Sequence, residues 1–193
     1  MSEKKLPEKI VVASGNAHKI EEIKSIFKGV ELVTMRDAGF TDDIAEDGET
    51  FKENAYIKAK AVYDKLRLCV LADDSGLCVD ALNGAPGVYS ARFSGGGPAE
   101  NRALLLKKLQ GETRRTARFV CNVCYIGEDS KPVFGEGHTH GRILTEEVGN
   151  NGFGYDPLFY SDDLEKSFGE ATESEKNSVS HRYRALCDLR GKL

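Results

Sequence analysis

The stretch from Cys69 to Gly95, CVLADDSGLCVDALNGAPGVYSARFSG, constrains this chain more than any other. An apolar run, Leu68 to Ala72, passes directly into two adjacent carboxylates, Asp73 and Asp74, and then into Ser75 and Gly76. The pattern predicts a buried strand that ends in acid. Strand side chains alternate between faces, so the two aspartates diverge unless the backbone turns, and at least one faces whatever lies beyond the strand end. That is where α/β sheets place ligands. A second short apolar run, Leu77 to Val79, and two loop-forming segments, Asn83 to Gly87 and Ser94 to Pro98, follow. Taken alone, the stretch also fits a surface hairpin with a solvated Asp-Asp pair.

With 193 residues, 40% of them hydrophobic and 30% charged, the chain fits one soluble domain, residues 1–193, of up to two lobes. No apolar run approaches the roughly 20 residues of a membrane span, and the opening MSEKKLPEKI lacks a signal peptide's apolar segment. The expectation is a cytoplasmic protein with no membrane partner. A net charge of -4 argues against a surface for duplex nucleic acid, so any phosphate site is local. The five cysteines are odd in number and mostly lie in apolar strand-like runs, which predicts reduced core residues. Cys121 and Cys124, with His138 and His140, suggest zinc only superficially: a separation of three on a strand sends the thiols to opposite faces.

The chain opens with a predicted strand, Lys9 to Ala13, then Ser14-Gly15-Asn16 and a helix over 18–28 whose apolar face is Ile20, Ile23, Ile26 and Phe27. Ser14 or Asn16 can cap it, and Gly15 lets backbone approach a ligand. His18 and Lys19 fall in the first turn, where the helix dipole prefers an acid and free amides attract an anion. Cations there make sense if a phosphate visits; the plain alternative is a lysine pointing into water. A Walker loop is excluded by spacing.

After a strand over 30–34, Glu46-Asp47-Gly48 precedes a helix whose start is fixed by the capping box Thr50-Phe51-Lys52-Glu53 and which runs to about Lys65. Phe51, Ala55, Ala59, Val62 and Leu66 form its apolar stripe, with Lys58 inside the stripe and Asn54 at its edge. A lysine on a buried face requires an anion or a long stem that snorkels to water. Glu46 and Asp47 add oxygen ligands of the kind magnesium takes alongside substrate phosphates.

A packing helix is predicted over 98–109, then strands over 116–126 and 131–140 around the turn Gly127 to Ser130, with Arg142 to Leu144 extending the sheet. Gly149 to Pro157 sets Phe153 and Tyr155 among glycines, which suits a stacking platform for a planar base, with Asp156 as an acceptor, or equally an aromatic plug for a core. Near the end, Lys176 and then Ser180-His181-Arg182 lead into a helix over 183–189, with basic side chains again in a first turn. Lys19, Lys176 and Arg182, with His181 and Lys58, would suit a triphosphate opposite a carboxylate-held magnesium.

Taken together, SGNAHK, EDGETFKENA, ADDSGLCVDALNGAPGVYSARFSG, FGYDPLF and SHRYRAL resemble the inosine triphosphate pyrophosphatase family, the non-standard purine nucleoside triphosphate pyrophosphatases, over residues 10–189. The resemblance implies an α/β fold with a mixed, twisted central sheet flanked by helices, two lobes with an active-site cleft between them, and a homodimer. It implies magnesium-dependent hydrolysis of ITP, dITP and XTP to the monophosphate and pyrophosphate. The matching positions make Asp74 the general base and a metal ligand and Glu46 a second metal ligand, with Asp73 assisting. Ser14, Gly15, Asn16, Ala17, His18, Lys19, Lys58, Ser75 and Lys176 would hold phosphates and sugar. Phe153, Gly154, Tyr155 and Asp156 would hold the base, and His181 with Arg182 both ends. Asp47 stands where the family often has threonine, which leaves open the carboxylate that binds metal directly. The rival readings are a Maf-like nucleotide pyrophosphatase of other base specificity and a non-catalytic nucleotide sensor; the acid array of Glu46, Asp73 and Asp74 counts against the sensor.

Overall fold

A computed structural model describes residues 7–15 and 17–193, with the side chains of Ala17, His18 and Ser25 outside the description. Seven strands, β1 (Lys9–Val12), β2 (Glu31–Thr34), β3 (Val70–Val79), β4 (Thr116–Ile126), β5 (Pro132–Ile143), β6 (Phe159–Ser161) and β7 (Lys166–Ser167), form one sheet in the order β2-β1-β3-β4-β5-β6-β7. The sheet is mixed: β1 pairs parallel with β2 and β3, while β6 pairs antiparallel with β5 and β7. The helices are α1 (Ala17–Ile26), α2 (Phe51–Leu66), α3 (Pro98–Lys108), α4 (Glu173–Val179) and α5 (His181–Arg190).

Two compact units share the chain. The first takes in the chain up to Asp74 together with Cys121–Gly137 and Arg182–Leu193, and the second takes in Ser75–Val120 and His138–His181. In the first unit, strand alternation splits the core in two. Ile10, Val12, Leu71, Cys121 and Val123 pack with Ile23 and Phe27 of α1 and with Ala185, Leu186 and Leu189 of α5. Val11, Val70, Ala72 and Cys124 pack instead with Ala55, Ala59 and Val62 of α2. Cys121 and Cys124 therefore belong to opposite faces, as their spacing predicts. The second unit centres on Leu77, Leu105, Phe119, Tyr155, Phe159 and Phe168, with the Phe119 and Phe159 rings 4.7 Å apart.

Two expectations change. The strand predicted to end in acid does not end there: β3 continues through Asp73, Asp74, Ser75 and Gly76 to Val79. A strand interior tolerates two carboxylates when each is met by a cation, and each of these is. The helix α4, which carries Lys176, is absent from the sequence reading, although Thr172 and Glu175 form a capping box at its start.

Candidate active site

Asp73 shares its strand parity with Leu71, and so projects toward α1 and α5. It is 3% exposed, and its Oδ2 lies 2.9 Å from Lys19 Nζ of α1 and 3.2 Å from Arg182 Nε of α5. The Arg182 guanidinium, 2% exposed, is gripped on its other side by Glu22, whose Oε2 accepts from Nη1 at 2.7 Å. Burial alone would raise the Asp73 carboxyl, but Lys19, Arg182 and Lys58 overcome it and hold the group well below the usual carboxylate range. Lys19 is thus not a lysine pointing into water.

Asp74 shares its parity with Ala72 and projects toward α2. Its Oδ2 accepts from Asn54 Nδ2 at 3.1 Å, and its Oδ1 lies 3.7 Å from Lys58 Nζ. The same ammonium donates to Glu46 Oε2 at 2.8 Å, so Glu46 and Asp74 converge on one cation. Asn54 is also the anchor of the connector, since its Oδ1 accepts from the Gly48 amide at 2.8 Å. A Cβ at Gly48 would meet that oxygen at 2.7 Å, so no side chain fits there. The capping box predicted for α2 is present, Thr50 accepting from the Glu53 amide, and it sets the rotation that aims Lys58 and Asn54 inward.

Burial raises the Asp74 carboxyl above its ordinary value and Glu46 adds to this, against the opposing pull of Lys58, Asn54 and Lys19. For Lys58, burial works against the charge, but Asp73, Asp74 and Glu46 outweigh it and the ammonium is stabilised. A carboxylate base with an upward-shifted pKa beside a permanent cation is suited to take a proton from water near a phosphate.

As for metal, no group of at least three His, Cys, Asp or Glu side chains forms a ready metal cage among the described residues. Glu46 and Asp74 nevertheless fit a hard divalent ion: two oxygen donors already share one positive centre, and magnesium characteristically takes one or two carboxylates and fills its shell with water and substrate phosphate. The rings of His138 and His140 stack 6.1 Å apart on β5.

In the second unit Lys176, expected among the phosphate-holding residues, meets the loop expected to hold the base. Asp156, 2% exposed, accepts through Oδ2 from Lys176 Nζ at 2.6 Å and from the Phe153 amide at 2.7 Å. The Lys176 ammonium lies 4.2 Å from the centre of the Phe153 ring, which is 42% exposed. Gly152, at φ +76°, turns the chain so closely against Asp156 that a side chain would collide with the carboxylate. Tyr155 faces the core instead, its hydroxyl donating to the Ser90 carbonyl at 2.8 Å, so that of the two loop aromatics only Phe153 is presented outward. His181, 6% exposed, stacks on Phe119 at 5.0 Å.

Of the remaining predicted residues, Ser14 is half-buried and Gly15 exposed at the end of β1, Ser75 is half-buried within β3, and Gly154 takes φ +62°. Asn16 and the side chains of Ala17 and His18 lie outside the described residues. The structure thus brings Lys19, Glu46, Lys58, Asp74 and Arg182 into one unit with Asp73, and Phe153, Asp156 and Lys176 together in the other. It adds Glu22, Gly48 and Asn54, of which only Asn54 carried a signal, at the edge of the α2 stripe.

The chain is 48% identical over 188 residues to the dITP/XTP pyrophosphatase of Thermoanaerobacter pseudethanolicus, covering 94% of each chain. It is 43% identical over 197 residues to that of Clostridium perfringens, covering 96% of this chain and 97% of the relative. The solved structure of the Staphylococcus aureus Ham1 protein matches with a TM-score of 0.90 at 40% identity, over 95% of this chain and 97% of that one. The Coxiella burnetii HAM1 protein matches with a TM-score of 0.89 at 36% identity, over 95% and 97% respectively. The sequence model of the Ham1 family spans residues 10–192, and the chain belongs to that family.

Proposed function

We propose that the chain is a nucleoside triphosphate pyrophosphohydrolase for non-standard purine nucleotides, releasing pyrophosphate from dITP, XTP and ITP. The observation that carries this reading is the convergence of Asp74, Glu46 and Lys58, with Asp74 fixed by Asn54. That the two bacterial relatives are dITP/XTP pyrophosphatases supports the substrate class.

Asp74 acts as the general base. It takes a proton from water, the water oxygen bonds to the α-phosphorus, and the α–β anhydride bond breaks with its electron pair leaving on pyrophosphate. A positioned base of this kind is worth about 10²- to 10⁴-fold. Glu46 and Asp74 would hold magnesium, which supplies neutralisation of phosphate charge. Lys19 and Lys58 hold the phosphates as cations fixed on α1 and α2, with the Ser14–Lys19 segment and Ser75 contributing donors. Phe153 stacks on the base, Asp156 and Lys176 hold its loop in place, and His181 and Arg182 reach toward the nucleotide. A cytoplasmic homodimer completes the reading; among the described residues no helix is long and apolar enough to cross a membrane.

The test is pyrophosphate release from dITP, XTP, ITP, ATP, GTP, dTTP and UTP, with magnesium and with chelator. Preference for dITP, XTP and ITP, abolished by chelation, is expected. Preference for dTTP or UTP would instead favour a Maf-like enzyme, and light scattering at micromolar concentration checks the dimer.

A further inference from the structure

The carboxylate pair that suits magnesium already shares a cation supplied by the protein itself. Lys58 sits on the α2 face between Ala55, Ala59 and Val62, each 0% exposed, and is itself 8% exposed. Its ammonium is 2.8 Å from Glu46 Oε2 and 3.7 Å from Asp74 Oδ1. Asn54 holds the other oxygen of Asp74, so Oδ1 is the atom that faces the lysine. The packing of α2 fixes the lysine's root, and only the end of its side chain is left to move.

A divalent ion arriving alone would have to enter beside an ammonium 2.8 Å from one of its ligands and 3.7 Å from the other, or force that ammonium off two carboxylates when the other carboxylate near it, Asp73, is already paired with Lys19 and Arg182. Both are unfavourable for a charge this buried. An ion arriving on a triphosphate brings the compensating anion, because the phosphate oxygens accept from Lys58 as the carboxylates turn to the metal. The geometry points to Lys58 as an exchange residue: it occupies Glu46 and Asp74 in the nucleotide-free protein, excludes free divalent metal, and passes to the phosphates when metal enters as its nucleotide complex. This rests on the pyrophosphatase reading for the identity of the anion. It adds that the free protein is a poor metal binder.

The experiment is a titration with Mn²⁺ alone, followed by the loss of the free-ion electron paramagnetic resonance signal, on the wild-type chain, Lys58→Met and Lys58→Gln. Both variants should bind Mn²⁺ at least about ten-fold more tightly than wild type, because a unit charge within about 4 Å of the site has been removed. Their melting temperatures should rise with Mn²⁺ where that of the wild type does not. The double variant Lys58→Met with Glu46→Gln should lose the gain, which places the ion at this pair. Adding the α,β-methylene analogue of dITP should tighten Mn²⁺ binding to wild type and close the gap. Equal affinity of wild type and both variants for Mn²⁺ alone overturns the assignment; the glutamine variant preserves this comparison if the methionine variant does not fold. A chain that behaves as expected with Mn²⁺ yet releases no pyrophosphate from dITP or XTP would overturn the pyrophosphatase reading and leave the exchange role of Lys58 standing.

Discussion

Asp73 and Asp74 are neighbours on one strand and yet belong to different ion-pair systems: Asp73 Oδ2 lies 2.9 Å from Lys19, and Asp74 Oδ1 lies 3.7 Å from Lys58. The alternation of the strand is the cause, since it sends one carboxylate toward α1 and α5 and the other toward α2. Burial depth separates their chemistry. Asp73, flanked by Lys19 and Arg182, is held ionised and serves as an anchor; Asp74, half-buried with an upward-shifted carboxyl, is the one equipped to exchange a proton.

Asp74→Asn should leave the fold intact and lower turnover by at least about 10²-fold, because the amide neither accepts the proton nor carries charge toward a metal. Unchanged melting temperature with near wild-type pyrophosphate release would refute the assignment of Asp74 as base.

Lys19→Ala separates the sequence reading from the structure. A first-turn lysine opposes the helix dipole, which by itself predicts unchanged or slightly higher stability without Lys19. The ion pair with a carboxylate that is 3% exposed predicts the reverse. Because Arg182 still holds Asp73, the loss should be moderate, about 1–2 kcal/mol in denaturant unfolding, together with a raised KM for triphosphates. No loss of stability would mean that Arg182 alone satisfies Asp73.

Glu175 offers a pH test away from the acid pair. Its ion pair with Lys166, then the Thr172 amide and hydroxyl, hold its carboxyl at about 2. Its folded value is depressed, so the capping it gives α4 is fully present above the unfolded value of about 4.3 and is lost as pH falls toward about 2. An NMR titration of the carboxyl carbon should find the low midpoint, and Lys166→Met should raise it. A wild-type midpoint near 4.3 would show that the capping box does not hold in solution.

Local signals were readable from the chain and distant ones were not. Thr50 and Glu53 mark the start of α2 because a capping box closes within four residues, and the same pattern at Thr172 and Glu175 marks α4. β4 was legible over its whole length, Thr116–Ile126, as an unbroken strand pattern. The continuation of β3 through two aspartates was not legible, because what makes it tolerable is Arg182, 109 residues away, and Lys19 and Lys58 on separate helices. Cation and carboxylate types were visible in the sequence; their pairing was not, and neither was the role of Asn54, which depends on the Gly48 amide and Asp74 lying to either side of it.

Base choice is the most discriminating test. Hypoxanthine and xanthine present a carbonyl at C6 where adenine presents an amino group, so donors at that edge would face adenine's donor and reject it. Guanine shares the carbonyl, and its rejection requires a poor environment for its 2-amino group. Arg182 and the amides of the 153–156 loop are the donors proposed. Arg182 also serves Asp73 and Glu22 through Nε and Nη1. Phe153→Ala should weaken use of ITP, XTP and GTP in similar proportion, because stacking discriminates little among purines. Arg182→Ala should lower stability by about 3–5 kcal/mol, since it strips the guanidinium from two buried carboxylates and leaves Lys19 alone on Asp73, and should also erode a preference for ITP over ATP that unpaired polar groups can make as large as roughly 10⁴-fold. The ratio of kcat/KM for ITP and ATP on one preparation is independent of the folded fraction, so it separates the two effects. If Arg182→Ala is destabilised and still keeps the full ratio, Arg182 is the structural clamp of Asp73 and Glu22 alone, and base recognition belongs to the loop.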